Sequence, residues 1–155
     1  MFLFLASTIA CIQNSKVPAG ALEYTVTATG VGPDTCHPGN TQGWTKNFTY
    51  DVTLNASSAS LYADGEPFAS GSISGCKLNY QTVVIDDAGR TGGDLKWQLT
   101  GAASMDTTSG GVCATDGNAF SGTETYAIIS SDDPNIAVGC TYPTTVVGDF
   151  VTTTG

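Results

Sequence analysis

Apolar and polar residues alternate one by one along several stretches of this chain. The clearest stretch covers residues 48–55, which read FTYDVTLN, apolar at even positions and polar at odd ones. Residues 24–29, 95–100 and 136–142 show the same period of two. Successive side chains point to opposite faces of a β-sheet, so this period is typical of half-buried antiparallel strands. No stretch has a helical period, and the pattern predicts an all-β chain.

Turn-forming residues separate these stretches. Residues 38–40 read PGN, residues 64–65 read DG and residues 132–134 read DDP. Asp64-Gly65 lies between two short apolar runs and is the strongest hairpin signal in the chain. About eight to ten strands with short connections fit this spacing, as an antiparallel sandwich or a meandering barrel. The periodicity leaves both architectures open.

The polar residues are mostly uncharged, and the charged ones are mostly acidic. Charged residues make up 12% of the 155 residues, which is about half the usual share in soluble domains. The surface must therefore be built from Thr, Ser, Asn and Gly, which favour strands and turns over helices. The formal net charge is -9. Such a surface repels phosphates, so the composition excludes nucleic acids as partners.

The first ten residues read MFLFLASTIA, an apolar run that ends in small residues directly before Cys11. This segment resembles the end of a secretory signal at the processing site of bacterial lipoproteins, where the cysteine receives the lipid. The resemblance implies a signal-peptide remnant at 1–10, a lipid-bearing Cys11 with a tether at 11–21, and a single β domain at 22–155. It also implies an extracytoplasmic location in the cell envelope, at the outer membrane or cell surface. The lipid anchor would then be the only membrane contact.

Four of the five cysteines lie in the predicted β domain, namely Cys36, Cys76, Cys113 and Cys140. Because Cys11 has a separate role in this interpretation, the remaining even number predicts two disulfides formed outside the cytoplasm. Four cysteines allow three connectivities, and the shortest loops favour Cys36–Cys76 with Cys113–Cys140. The chain has no CxxC pair, so we predict no structural metal site, and nothing in the sequence implies a cofactor.

Few side chains offer catalytic chemistry. The single histidine, His37, lies in a Pro/Gly-rich loop, and no GxSxG motif is present. Glu124 is in phase with apolar residues on both sides, so strict alternation would point it into the core. A bulge near Gly122 or an exposed strand end would turn it to water, and we favour that interpretation. Trp97 alternates with apolar neighbours and is expected in the core, whereas Trp44 is the better candidate for an exposed aromatic. These three side chains are the candidate ligand-binding residues.

Three functions remain open at this point. The first is a non-catalytic, surface-anchored or secreted β module for adhesion, envelope structure or binding of a protein, glycan or small molecule. The second is a carrier of one small apolar ligand, which requires a closed barrel with a cavity reaching Trp97 and Glu124. The third is a hydrolase, which requires a second carboxyl group within reach of Glu124 in a cleft.

Overall fold

A computed structural model describes residues 16–36, 43–105 and 119–155 of the chain. The described residues form nine β-strands and confirm the all-β prediction. No helix in these ranges is long and apolar enough to cross a membrane. The strands are β1 (Leu22–Gly30), β2 (Thr45–Asn55), β3 (Ser58–Ala63), β4 (Glu66–Ser74), β5 (Lys77–Thr82), β6 (Ile85–Asp87), β7 (Leu95–Met105), β8 (Ala119–Ser131) and β9 (Thr141–Thr153).

The strands close into an antiparallel barrel. The sheet runs β5-β4-β3-β2-β1-β9-β8-β7-β6, and a further pairing between β5 and β7 joins its ends. Short β6 pairs with the first residues of β7, beyond the segment that β5 covers. The ring therefore contains eight strands, and closure leaves it without the open edges of a sandwich sheet. Of the two architectures that the periodicity left open, the barrel is the one that forms.

The interior explains the alternation along the sequence. On β1 the residues at even positions are buried, and in β2 Tyr50 and Val52 face the same interior. A barrel of eight strands is just wide enough for side chains to fill it or for one small ligand to enter. Here the half that contains Val26, Phe120 and Val146 is filled, because all three are 0% exposed.

The predicted hairpin at Asp64-Gly65 is confirmed. These two residues form the whole connection between β3 and β4. Their φ angles are 49° and 83°, and positive φ at both central positions is what a type I′ turn requires. The local sequence was sufficient here because the turn depends only on residues that tolerate this backbone conformation.

The predicted strand at residues 136–142 is wrong, because β9 begins only at Thr141. The preceding residues form a loop in which the Cys140 amide donates to the Ala137 carbonyl, and Gly139 has a φ of 81°. Ile136 is nevertheless buried. Ile136 and Cys140 are buried where this turn packs on the barrel, whereas Val138 between them is 62% exposed. The period of two in the sequence therefore does not correspond to a strand here.

The predicted disulfide connectivity is also wrong. Cys36 is bonded to Cys140, across a sequence separation of 104 residues, and not to Cys76. One complete disulfide is visible among the described residues, where two were predicted. Cys76 is disulfide-bonded as well, while Cys11 and Cys113 lie outside the described residues. The preference for short loops failed because the pairing of β1 with β9 brings the β1–β2 and β8–β9 loops together.

These two loops lie at one end of the barrel, together with the β3–β4 turn and the β6–β7 loop. Besides the disulfide, the Thr35 amide donates to the Thr141 carbonyl at 2.9 Å and the Val31 amide donates to the Pro143 carbonyl at 3.0 Å. We call this end the mouth of the barrel. Its loops are therefore connected both covalently and through the backbone.

Candidate functional site

The mouth contains a pocket of about 340 Å³. This volume lies at the lower end of the range for small-molecule sites. Seven of the twelve residues that line the pocket are aromatic. The lining residues are Ala28, Trp44, Lys46, Phe48, Tyr50, Ala63, Asp64, Phe68, Asp87, Trp97, Tyr126 and Tyr142.

One wall of the pocket is made of Trp97, Tyr126 and Tyr142, which stand on neighbouring strands β7, β8 and β9. The Tyr126 and Tyr142 rings stack with their centroids 4.5 Å apart and their planes 6° from parallel. Trp97 packs against Tyr126 at 5.5 Å. Offset stacking of this kind holds large side chains in one orientation. The wall is therefore a continuous, ordered aromatic surface.

The opposite wall is made of Phe48, Tyr50 and Phe68 from β2 and β4. Phe48 and Tyr50 meet edge to face, with centroids 4.8 Å apart. Tyr50 and Phe68 stack at 5.7 Å. Phe48 and Tyr50 share a face of β2 because they are two residues apart on a strand. The sequence pattern of residues 48–55 thus supplies part of the pocket directly.

Trp44 lies at the rim of the pocket and is the last residue before β2. Its indole ring occupies the space where a side chain of Gly30 would be, since a Cβ atom there would lie 2.2 Å from the indole nitrogen. The Gly30 amide also donates to the Trp44 carbonyl at 2.9 Å. Glycine at this position is therefore what lets the indole lie against the end of β1. Trp44 is 38% exposed.

A buried carboxyl group lies beneath the pocket. Glu124 on β8 is 0% exposed, so its alternation with apolar neighbours does point it into the core. Its Oε1 accepts hydrogen bonds from the hydroxyls of Tyr50 at 2.6 Å and Tyr80 at 2.7 Å. The Tyr126 hydroxyl makes a longer contact of 3.4 Å to Oε2. Tyr50 and Tyr126 thus contact the pocket on one side and the carboxyl group on the other.

Glycine on the neighbouring strand makes this arrangement possible. Gly101 on β7 pairs with Tyr80 on one side and with Glu124 on the other. A Cβ atom at Gly101 would lie 2.2 Å from the Tyr80 ring, so any side chain there would push the phenol away from Glu124. On the far side of Glu124, Thr144 of β9 is also buried, and its hydroxyl has no hydrogen-bond partner among the described residues.

Burial dominates the electrostatics of this cluster. Loss of water raises the pKa of Glu124 above its ordinary value, and hydrogen bonds from Tyr50, Tyr80 and Tyr126 oppose this increase. The phenols themselves are harder to ionise, because burial and the nearby Glu124 both raise the pKa of Tyr50. The phenols therefore act as hydrogen-bond donors and not as acids near neutral pH.

Replacing Glu124 with glutamine is expected to flatten the pH dependence of stability. Since the pKa of Glu124 in the folded state lies above the ordinary 4.5, the unfolded state loses this proton first as the pH rises. Below pH 4.5 the carboxyl group is protonated in both states, and the stability of the wild type relative to Glu124→Gln is at its highest. As the pH rises from 4.5 to the raised folded-state pKa, this relative stability falls. Denaturant unfolding of both proteins at stepped pH measures the difference, and a difference that grows in the opposite direction would contradict the raised pKa.

The rim of the pocket carries charge. Asp64 and Asp87 contribute carboxyl groups and Lys46 contributes an ammonium group. The Asp64 carboxylate also accepts a hydrogen bond from the Thr49 amide at 2.9 Å, which holds the β3–β4 turn against β2. Acidic groups therefore outnumber basic ones at the entrance, two to one.

The structure brings the three candidate ligand-binding residues to the same end of the barrel. Trp97 and Trp44 line the pocket, whereas Glu124 lies below it and contacts the lining tyrosines. That any of them binds a ligand stays a prediction. His37 lies outside the described residues.

The sequence pattern did not single out individual tyrosines as site residues. Tyr126 follows Glu124 by two positions, and this spacing alone places both on the inner face of one strand. No comparable signal identifies Tyr80 and Tyr142, because their approach depends on which strands become neighbours.

Comparison with known proteins adds no relationship. No protein-family model, curated protein or solved structure matches the chain. Within the described ranges, no group of three or more His, Cys, Asp or Glu side chains is arranged to hold a metal ion. The chemistry of the site therefore has to be argued from its own geometry.

Proposed function

We propose that this protein binds one small organic molecule in the mouth pocket. The single observation that carries the proposal is an ordered aromatic pocket of about 340 Å³ at one end of a closed barrel. Ligand sites are typically concave, lined mainly by apolar and aromatic side chains, and supplied with a few polar groups. Eight-stranded barrels can hold one small ligand in this way.

The hydrogen bonds beneath the pocket support binding because they hold its floor in place. The Tyr50 hydroxyl is tied to Glu124 at 2.6 Å, and the Tyr126 hydroxyl contacts the same carboxyl group. Side chains that are already ordered lose little conformational freedom when a ligand arrives. The ligand would rest on the two phenol rings rather than on the carboxyl group. For the same reason, no observation here favours a hydrolase, since Glu124 is completely buried.

Location is a separate part of the proposal. The Cys36–Cys140 disulfide is typical of proteins from an oxidising compartment outside the cytoplasm. We propose that this compartment is the cell envelope and that a lipid on Cys11 holds the barrel at the membrane. This part rests on the resemblance of residues 1–11 to lipoprotein signals, and Cys11 lies outside the described residues.

Filling the pocket is expected to abolish binding without unfolding the barrel. Ala63 lines the pocket at the end of β3, so the ring in Ala63→Phe would occupy the ligand's place. The neutral probe N-phenyl-1-naphthylamine becomes fluorescent in apolar sites, and energy transfer from Trp44 and Trp97 locates it. We expect saturable binding of one probe by the wild type and at least about a tenfold loss of affinity in Ala63→Phe.

A matched substitution on the outer face serves as the control. Ala102 is exposed on β7, so Ala102→Phe adds the same ring outside the barrel and is expected to leave probe affinity unchanged. Circular dichroism checks that both variants keep the sheet. The proposal fails if the wild type shows no saturable binding, or if Ala63→Phe binds the probe as tightly as Ala102→Phe does.

A further inference from the structure

The pocket combines aromatic walls with an acidic rim, and this combination points to the charge of the ligand. Resting on the proposed function, we infer that the ligand carries a positively charged group, an alkylated ammonium, which is held against the aromatic rings. Such a group has no hydrogen to donate when it is fully alkylated. It is therefore recognised by electron-rich ring faces and by nearby negative charge, not by directed hydrogen bonds.

Ring faces are the first support for this inference. A cation is attracted to the face of Trp, Tyr or Phe within about 6 Å of the ring centroid, and Trp binds it best. The pocket contains rings from β2, β4, β7, β8 and β9, so aromatic groups surround the space on opposite sides. Both tryptophans of the chain, Trp44 and Trp97, are among the lining residues. An alkylammonium head can thus contact several rings at once.

The distribution of charge is the second support. Asp64 and Asp87 stand at the rim with Lys46, which leaves the entrance with a net negative charge. The whole chain has a formal net charge of -9. An acidic surface around a low-dielectric cleft concentrates cations near the entrance and repels anions. A neutral ligand would gain nothing from this field.

The third support is that three of the four basic side chains other than Lys46 are paired with carboxylates. Three described basic side chains form ion pairs outside the pocket, so they do not compete with a ligand cation for the rim carboxylates. The pairs are Lys16–Glu66, Arg90–Asp133 and Lys96–Asp86. The negative charge at Asp87 and Asp64 is opposed in the pocket lining by Lys46 alone.

Choline and its neutral isostere 3,3-dimethylbutan-1-ol test the inference, because they have nearly the same shape and differ in charge. Trp44 and Trp97 are the two tryptophans of the chain, so intrinsic fluorescence reports directly on the pocket. We expect saturable binding of choline with an affinity at least about tenfold higher than that of the alcohol, as expected for a cation held on aromatic faces.

Removal of one rim charge refines the test. Asp87→Asn is expected to weaken choline binding about threefold while leaving the affinity of the neutral alcohol unchanged. Asp149 is exposed on β9 and does not line the pocket, so Asp149→Asn is the matched control and should bind choline like the wild type. The comparison separates local attraction from the effect of total charge.

Several outcomes overturn the inference. Equal or tighter binding of 3,3-dimethylbutan-1-ol would show that charge plays no part, and tighter binding of the anion 3,3-dimethylbutanoate would assign the pocket to anions through Lys46. If choline fails to bind while N-phenyl-1-naphthylamine still binds, the charge inference falls and the proposed function stands. If neither probe binds, both fail.

Discussion

Replacing Glu124 with leucine is expected to lower the free energy of unfolding by about 3 to 5 kcal/mol. The volume of the side chain changes little, but the Tyr50 and Tyr80 hydroxyls lose their shared acceptor, Oε1 of Glu124. Both phenols are almost fully buried, and a buried donor without a partner costs about 1–3 kcal/mol. Urea or guanidinium unfolding followed by tryptophan fluorescence measures the change.

The companion experiment removes the donors together with the acceptor. In the triple variant Glu124→Leu, Tyr50→Phe, Tyr80→Phe, no hydroxyl of this pair is left without a partner, and most of the lost stability should return. An apolar replacement of a whole buried polar group is often neutral or stabilising. If the triple variant is as unstable as Glu124→Leu, the loss comes from packing, and the hydrogen-bond interpretation is wrong.

Removing the disulfide with Cys36→Ala and Cys140→Ala is expected to cost about 4 kcal/mol. The bridge closes a loop with a sequence separation of 104 residues. The longer the closed loop, the more conformational entropy the unfolded chain gains when the bridge is removed. The two cysteines also belong to a small buried cluster that packs against Trp97 and Tyr142. We therefore expect a lower midpoint of unfolding and weaker binding of N-phenyl-1-naphthylamine, both measured in the same fluorescence experiment.

Chemical reduction of the wild type provides the control for this variant. It opens every disulfide, Cys76 included, so reduced wild type should be no more stable than the double variant. A double variant within about 1 kcal/mol of the oxidised wild type would show that the backbone bonds of Thr35 and Val31 hold the mouth without the bridge.

The Glu124 variants concern one feature of the barrel interior, a buried polar cluster. The buried carboxyl group and its phenols are polar, yet they lie in the interior, where such groups are stabilising only if they are hydrogen-bonded. Their position between the filled half and the open mouth gives the pocket a floor with a defined shape. The stability of the Glu124 cluster and the affinity of the pocket are therefore expected to be linked through Tyr50 and Tyr126.

Local pattern was sufficient for several parts of the structure. The alternation in residues 48–55 predicted β2, because a strand that is half buried must place its apolar side chains on one face. The Asp64-Gly65 turn was predicted because the required backbone angles depend on those two residues. For Glu124, strict alternation indicated the inward direction that the structure shows, whereas a bulge near Gly122 or an exposed strand end, the interpretation favoured from the sequence, would have turned it to water.

Other features could not be predicted from the sequence pattern, and they share one reason. The pattern at residues 136–142 resembled a strand, but the residues before Thr141 form a loop that buries Ile136 and Cys140 and leaves Val138 exposed. The actual final strand, β9, has a weak signal, since threonine and glycine occupy several of its inward positions. A period of two shows that apolar and polar residues alternate, but it does not decide which backbone geometry forms or which of these side chains become buried.

What the amino-acid sequence determined by itself was the all-β class, the acidic surface and the identity of the side chains that must avoid water. Tertiary structure alone decided that β5 meets β7, that Cys36 pairs with Cys140, and that tyrosines from β2, β5 and β8 converge on Glu124. The physical reason is the separation along the chain between the residues that determine each feature. Alternation and turn formation depend on residues a few positions apart, whereas closure of a barrel is a property of all eight strands together.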